Sequence, residues 1–431
     1  MLPDASAAHP HLRPNARHLL HDVAWYGVLA ASTMAYLSVY ATRQGASPFQ
    51  VALLTAGPAV VNLVCSIPFG RWMEGRSLVP AVFRSSFLAR LAYVFLIPLP
   101  ALLPAESQVW AVIGLTVVMS VPGTLLAIGF NALFADLVPP DWRAFVVGRR
   151  NALLAVALTA TVLICGRLLD TQPFPANYQL VFAVGAVGAL VSSYHLGRLR
   201  APSDDRLPAR IGKPLLDLAG PGSLRLLDAD RSSSGLRFLT RAHGRPLLRL
   251  DLLRGPFGVF ILSYLAFYTF QYLPLPIFPV FWVRELHLTD GAIGLGSALF
   301  YVGVLATSLA LRRATGLLGH RRLVHVSSLL YAVYPFLTWQ AQDATLFYVA
   351  SAFGGAVWGL LNGALVNRLM ERVPEDDRPA HMALHNLALN LGILLGSLLG
   401  PSLATGLDLR GAMLGAGILR LLGGAILVLG A

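Results

Sequence analysis

The sequence predicts an all-α integral membrane protein with twelve transmembrane helices in two pseudo-symmetric six-helix halves. Three observations carry that expectation. Of the 431 residues, 56% are hydrophobic and only 13% are charged, where a soluble globular chain carries about 25%. The apolar residues come in runs of the length a bilayer demands, about 20 residues per helix. And the chain repeats itself at long range, in a way that pairs its first half with its second.

The apolar runs fall at 19–41, 49–70, 81–103, 108–137, 147–168, 178–198, 256–281, 291–311, 324–341, 345–367, 384–405 and 411–430. This gives an N-terminal tail (1–18), a six-helix half (19–198), a polar linker (199–254) rich in Arg, Asp, Ser, Pro and Gly, and a second six-helix half (255–431). The polar start lacks the short apolar region and cleavage site of a signal peptide, so the first run is expected to be a true span. Basic residues alternate in density. Arg71, Arg76, Arg143, Arg149, Arg321, Arg322 and Arg372 fall on the side of the linker, while Arg43, Arg167, Arg284 and Arg410 fall on the other. The positive-inside rule then makes both termini and the linker cytoplasmic, in a bacterial inner (cell) membrane. The net charge of +12 is accordingly a cytoplasmic face, and no nucleic-acid partner is expected, since no stacking aromatics interleave with a basic groove. Cys65 and Cys165 sit in different apolar runs, which excludes a disulfide framework.

The repeat is specific. After the fourth run stand Asp136, Val138, Pro139, Asp141 and Arg143, with Asn151 beyond; after the tenth stand Glu371, Val373, Pro374, Asp376 and Arg378, with Asn386 beyond, all displaced by 235. A second echo pairs Val39, Arg43 and Ser47 with Val280, Arg284 and Thr289, at a displacement of 241 to 242. Both echoes put matching residues on the same side of the membrane, as parallel repeats about an axis along the membrane normal require.

Six plus six helices, a long central loop and this repeat resemble the major facilitator superfamily over essentially the whole chain. Between the second and third runs, Gly70, Glu74, Gly75 and Arg76 look like a worn copy of the family signature Gly-x-x-x-Asp-Arg-x-Gly-Arg-Arg, with Glu for Asp and the Arg-x pair missing. The equivalent second-half loop keeps Gly316, Gly319, Arg321 and Arg322. The resemblance implies that spans 1, 4, 7 and 10 line a central cavity and that the halves rock about it.

Polar stripes on those spans suit that role. Tyr26, Thr33 and Tyr36 share a face of span 1; Asn131 lies on span 4, Tyr264, Tyr268, Gln271 and Tyr272 on span 7, and Trp358 and Asn362 on span 10. Such stripes also serve helix–helix hydrogen bonding. Asp22 is an intramembrane carboxylate, functional by default, and its two readings are proton coupling and an ion pair with nearby His18. Arg90 reads as snorkelling to the interface; Arg420, near the middle of span 12, has no such explanation and offers an anion a counter-charge. Glu74, Arg76, Asp136, Arg143 and Arg150 of one half, with Glu371, Arg378, Arg321 and Arg322 of the other, form a candidate cytoplasmic gate. His381 and His385 lack a third ligand, so no metal is expected. Pro274, Pro276 and Pro279 should bend span 7 at its outer end, and the glycines of spans 10 and 11 should bring backbones close.

The expectation is a secondary transporter, not an enzyme: no P-loop provides for ATP and no cofactor motif occurs. The partners are a small-molecule solute, the lipid bilayer and protons, with the chain a monomer. Little fixed charge on the stripes favours efflux of a neutral or weakly cationic amphipathic compound. The alternatives are uptake of a sugar or other nutrient, a non-transporting receptor or lipid-handling protein, and a membrane-embedded transferase.

Overall fold

A computed structural model describes residues 11–200, 249–374 and 377–430. Most of the linker, and Glu375 and Asp376 of the repeat, lie outside those residues. Among the described residues, eleven helices are long and apolar enough to cross a bilayer. One of them, Asp290–Gln340, has 51 residues, roughly 76 Å at the helical rise and far beyond the ~30 Å hydrocarbon core. It breaks at Gly319, whose φ of 73° and ψ of 163° are not helical and suit a residue without a Cβ. Two crossings, 290–318 and 320–340, result, which restores the twelve expected from the apolar runs.

In chain order the first half comprises α1 (Leu12–Arg43), α2 (Pro48–Met73), α3 (Leu78–Leu102), α4 (Ala105–Leu137), α5 (Pro140–Thr171) and α6 (Ala176–Gly197). The second comprises α7 (Pro256–Glu285), α8 (290–318), α9 (320–340), α10 (Ala344–Arg372), α11 (Arg378–Gly406) and α12 (Leu409–Gly430). Because crossings alternate, α1 starts and α12 ends on one face, the linker face; the opposite side is the far face.

Local chemistry sets the helix starts. Ser47 and Gln50 form a reciprocal capping box ahead of Pro48, opening α2, and Thr289, the repeat partner of Ser47, accepts from the Ala292 N–H to open α8. Both satisfy backbone donors that the first turn leaves free. Three prolines do bend α7: helix stops at Tyr272 and resumes at Ile277, because proline offers no N–H and crowds the preceding turn. In α1 the matching irregularity is a wide π turn at Ala30–Met34.

In the first half α1 packs on α5 and α6, while α4 packs on α2 and α3; in the second, α8 packs on α10, and α7 on α11 and α12. The halves meet along α5–α8 and α2–α11, two seams related by the repeat. Small residues allow the closest approaches. A Cβ on Gly355 of α10 would lie 2.1 Å from the Phe300 carbonyl oxygen, and one on Gly396 of α11 would lie 2.2 Å from that of Thr269. The glycine ladders are packing surfaces. The repeat also shows in the core: Val39 of α1 packs among second-half residues such as Phe281 and Ile293, and Val280 of α7 packs among Ala41, Val51 and Val109 of the first.

Candidate functional site

Asp22 is fully buried. Helix α1 begins at Leu12 rather than at residue 19, so Asp22 lies ten residues, about 15 Å, from the helix start. Its expected partner, His18, turns instead to His195, with their Nδ1 atoms 3.0 Å apart. Two arginines take its place: Arg90 Nη2 of α3 lies 3.7 Å from Oδ1, and Arg150 Nη2 of α5 lies 3.7 Å from Oδ2. Ser192 of α6 donates its hydroxyl to Oδ1 at 2.5 Å. Arg90 therefore does not snorkel; it is buried, and also donates to the Ser193 hydroxyl at 3.2 Å. Arg150, a candidate gate residue, is partly buried and lies over the Phe130 and Phe134 rings at 4.8 and 5.3 Å. The result is a four-helix charge cluster in which one carboxylate serves two guanidinium groups. A lone buried ion is far costlier than a paired one, which accounts for the clustering.

Beside this cluster a cleft opens between α1, α2, α3 and α4. Tyr26 and Arg90 line it together with Asn62, Tyr93, Ser120 and Thr124, and the Thr124 hydroxyl donates to Asn62 Oδ1 at 2.6 Å. Of the span 1 stripe, only Tyr26 reaches it. Thr33 packs against Gly185 of α6, where a Cβ would fall 1.9 Å from its hydroxyl oxygen. Tyr36 donates to the Val162 carbonyl of α5 at 2.8 Å. Asn131 is half-buried and donates to the Ala127 carbonyl one turn back.

In the second half, Tyr264 is buried and donates to the Leu365 carbonyl at 3.1 Å, while Tyr268 shares a 3.0 Å hydrogen bond with His385 Nε2. His381 pairs with the Asp377 carbonyl at 2.8 Å; among the described residues no three metal-ligating side chains gather. Gln271 is buried; Tyr272, Trp358 and Asn362 are half-buried. Arg420 acquires a physical account. The break in α7 leaves the Gln271 carbonyl without its helical donor, and Arg420 Nη2 donates to it at 2.5 Å. The same guanidinium lies 4.6 Å from the Tyr331 ring, on which Trp358 stacks at 5.2 Å. Cation–π attraction offsets part of the burial cost.

At the far face the halves are tied by reciprocal contacts. Arg43 Nη2 donates to the Leu288 carbonyl at 2.5 Å, and its repeat partner Arg284 donates to the Ala46 carbonyl at 2.7 Å. Arg43 also pairs with Asp290 at 3.1 Å, whose other oxygen accepts from the Tyr178 hydroxyl at 2.9 Å. Asp170 of α5 accepts from the Thr289 hydroxyl at 2.9 Å and the Gly291 N–H at 3.0 Å, placing a carboxylate at the positive end of α8. The sequence echo signalled Arg43 and Arg284; Asp170, Tyr178 and Asp290 carry no such signal.

At the linker face, several candidate residues bond within their own half. Arg143 donates to the Val138 and Ala135 carbonyls at 2.8 and 2.7 Å, closing the end of α4. Arg76 donates to the Trp72 carbonyl at 2.9 Å, and exposed Glu371 pairs with Arg368 at 2.9 Å and lies 4.0 Å from His320. Glu74, Asp136, Arg321 and Arg322 are exposed; the Arg378 side chain lies outside the described residues.

The family model of the Major Facilitator Superfamily matches residues 23–275 and 260–430. No curated protein matches the chain. Among solved structures, it is similar to a D-xylose–proton symporter (13% identity, 97% of each chain covered, TM-score 0.67). It is also similar to the nucleoside transporter NupG (11% identity, 96% of this chain and 97% of that one, TM-score 0.63). A bacterial homologue of the iron transporter ferroportin in an outward-facing state is similar as well (14% identity, 96% and 99%, TM-score 0.60). At these identities the likeness is one of fold. With twelve crossings, a parallel internal repeat and a family match over nearly its whole length, the chain belongs to the major facilitator superfamily.

Proposed function

We propose that the chain is a secondary active transporter that moves a small amphipathic solute by alternating access, with the halves rocking about a central site and no enzymatic step. The observation that carries this reading is the reciprocal tie at the far face. Arg43 and Arg284, related by the repeat, each hold the other half, as two rigid bodies that meet and part at that end would need. The Arg-rich linker face is cytoplasmic in a bacterial inner membrane, which fits the charge asymmetry, and export runs toward the far face. The monomer is the working unit.

Asp22 is the proton-coupling candidate. A carboxylate that serves two guanidinium groups changes the net charge of the whole cluster when it takes up a proton. Support of a general kind comes from the similar fold of a D-xylose–proton symporter. The cleft residues Tyr26 and Arg90 are the proposed solute contacts in the first half, and Tyr272, Trp358 and Asn362, which do not line that cleft, are the proposed contacts in the second; the buried Thr33, Tyr36 and Tyr264 serve packing. The positive charge beside the cleft weighs against a cationic solute.

The test is flux in proteoliposomes loaded with a pH-sensitive dye and challenged with a panel of small organic solutes. Wild type should acidify or alkalinise the lumen in response to at least one solute, and Asp22→Asn should abolish that response while solute exchange persists. Binding without any flux makes the chain a receptor of transporter fold; unchanged proton movement in Asp22→Asn removes Asp22 from coupling.

A further inference from the structure

The outer side of the α3–α6 contact carries an arrangement that neither the cleft nor the far-face tie uses. Helix α3 starts, and α6 ends, at the linker face. There the Phe83 ring of α3 fills the space a side chain would take at Gly197 of α6, where a Cβ would fall 2.7 Å from the ring. That contact sets the two helices at one level, and the next residue on each is an exposed arginine: Arg84 on α3 and Arg198 just past α6. One turn deeper stand Phe87, its ring 6.4 Å from that of Phe83, and Tyr194, over which the Arg198 guanidinium lies at 5.0 Å. Phe87 is 42% exposed and Tyr194 52%, so no described element covers this face. Leu88, Leu190 and Val187, all exposed, continue it as an apolar surface.

Both cations are placed, and among the described residues neither pairs with a carboxylate. Asn15 of α1 donates to the Arg200 carbonyl at 2.8 Å and accepts from the Arg200 N–H at 3.0 Å, which pins the chain just after Arg198. In the second half, linker-face arginines are engaged by acids: Arg249 holds Asp251 and Asp377 at 2.6 and 2.7 Å, and Arg368 holds Glu371 at 2.9 Å. Two guanidinium groups above an aromatic and then an aliphatic wall reproduce the order of groups in a phospholipid. Guanidinium groups suit phosphate oxygens bidentately, aromatic rings favour the headgroup level, and the cytoplasmic leaflet is the anionic one.

We propose that the α3–α6 groove at the linker face binds an anionic phospholipid, with Arg84 and Arg198 on its phosphate and Phe83, Phe87 and Tyr194 along its glycerol and upper acyl chain. The site rests on the membrane placement of the chain and not on transport of any solute. A zwitterionic lipid brings its own cation to the same place and gains less. Binding exchanges one set of counter-ions for another, with no covalent step, and clasps the start of α3 to the end of α6.

Native mass spectrometry of the purified full-length protein, titrated in detergent with dioleoyl phosphatidylglycerol or dioleoyl phosphatidylcholine, reads the affinity for the first bound lipid. Phosphatidylglycerol should bind at least about tenfold tighter, since each guanidinium near the surface favours an anionic lipid about fivefold. The double variant Arg84→Gln with Arg198→Gln should erase that preference. Arg312→Gln with Arg313→Gln, which removes two exposed cations of α8, should leave it intact. Gly197→Ala, which crowds the Phe83 ring, should weaken phosphatidylglycerol severalfold and keeps the proposal exposed should the double arginine variant fail to fold. Glycerol 3-phosphate, a phosphate without acyl chains, should not displace the lipid even in large excess. Equal binding of the two lipids, a preference that survives loss of Arg84 and Arg198, an equal loss in the α8 variant, unchanged binding in Gly197→Ala, or displacement by glycerol 3-phosphate each overturns it.

Discussion

The first half buries two guanidinium groups around one carboxylate, drawn from α1, α3 and α5, whereas the second buries one guanidinium on α12 against a backbone carbonyl and tyrosine rings. The difference follows from how each half treats its gating helix. Helix α1 keeps its hydrogen-bond ladder through a π turn, so its polar side chains are free to build a charge cluster. Helix α7 loses part of its ladder to prolines, and a cation is spent on the freed carbonyl. On the proposed reading, one half holds a site that changes charge and the other holds a hinge.

Breaking the comparison starts with its largest effect. Asp22→Ala strands two buried arginines and should cost about 3–5 kcal/mol, as removal of one partner from a buried ion pair does. Thermal unfolding in detergent should show Asp22→Ala as the least stable of these variants. Arg420→Met fills similar volume without a buried charge but leaves the Gln271 carbonyl unsatisfied, so its loss should be smaller, about 1–3 kcal/mol. If Arg420→Met proves as damaging as Asp22→Ala, the division into charge site and hinge fails.

The same contrast runs through the far-face tie. Arg43→Ala forfeits both a carbonyl contact and the Asp290 pair, while Arg284→Ala forfeits the carbonyl contact, so Arg43→Ala should open that face more readily. Alkylation of a single cysteine at Leu288 checks the order: faster labelling in Arg43→Ala than in Arg284→Ala is expected, and equal rates would show that the Asp290 pair adds nothing. Smallest of all, Glu371→Gln at the exposed linker face should move stability by less than about 0.5 kcal/mol, as solvated pairs do.

Most of the architecture was legible in the sequence because apolar run length and repeat spacing are direct consequences of crossing a bilayer twelve times. The seam at Val39 and Val280, and the shared caps at Ser47 and Thr289, were legible for the same reason. Depth was not. Residues 12–18 include Arg13, Asn15 and Arg17, so a hydropathy window starts the first span at residue 19, although the helix begins at Leu12 and carries Asp22 well inside. Partners distant in sequence were equally hidden: nothing near Arg90 announces Asp22 on another helix. A polar stripe tells which residues share a helix face but not what that face meets. Thr33 and Tyr36 thus share the register of Tyr26 while packing against α6 and α5.

The central claim is that the far face opens and closes as the two halves rock. With Cys65 and Cys165 replaced by serine, spin labels at Ala46→Cys and Leu288→Cys in lipid nanodiscs report the separation across that face through their dipolar coupling. The account predicts two distance populations, a short one with the tie closed and a longer one with it open, and a shift toward the longer in Arg43→Ala and in Asp290→Ala. A single short distance, unchanged by either substitution, would contradict it.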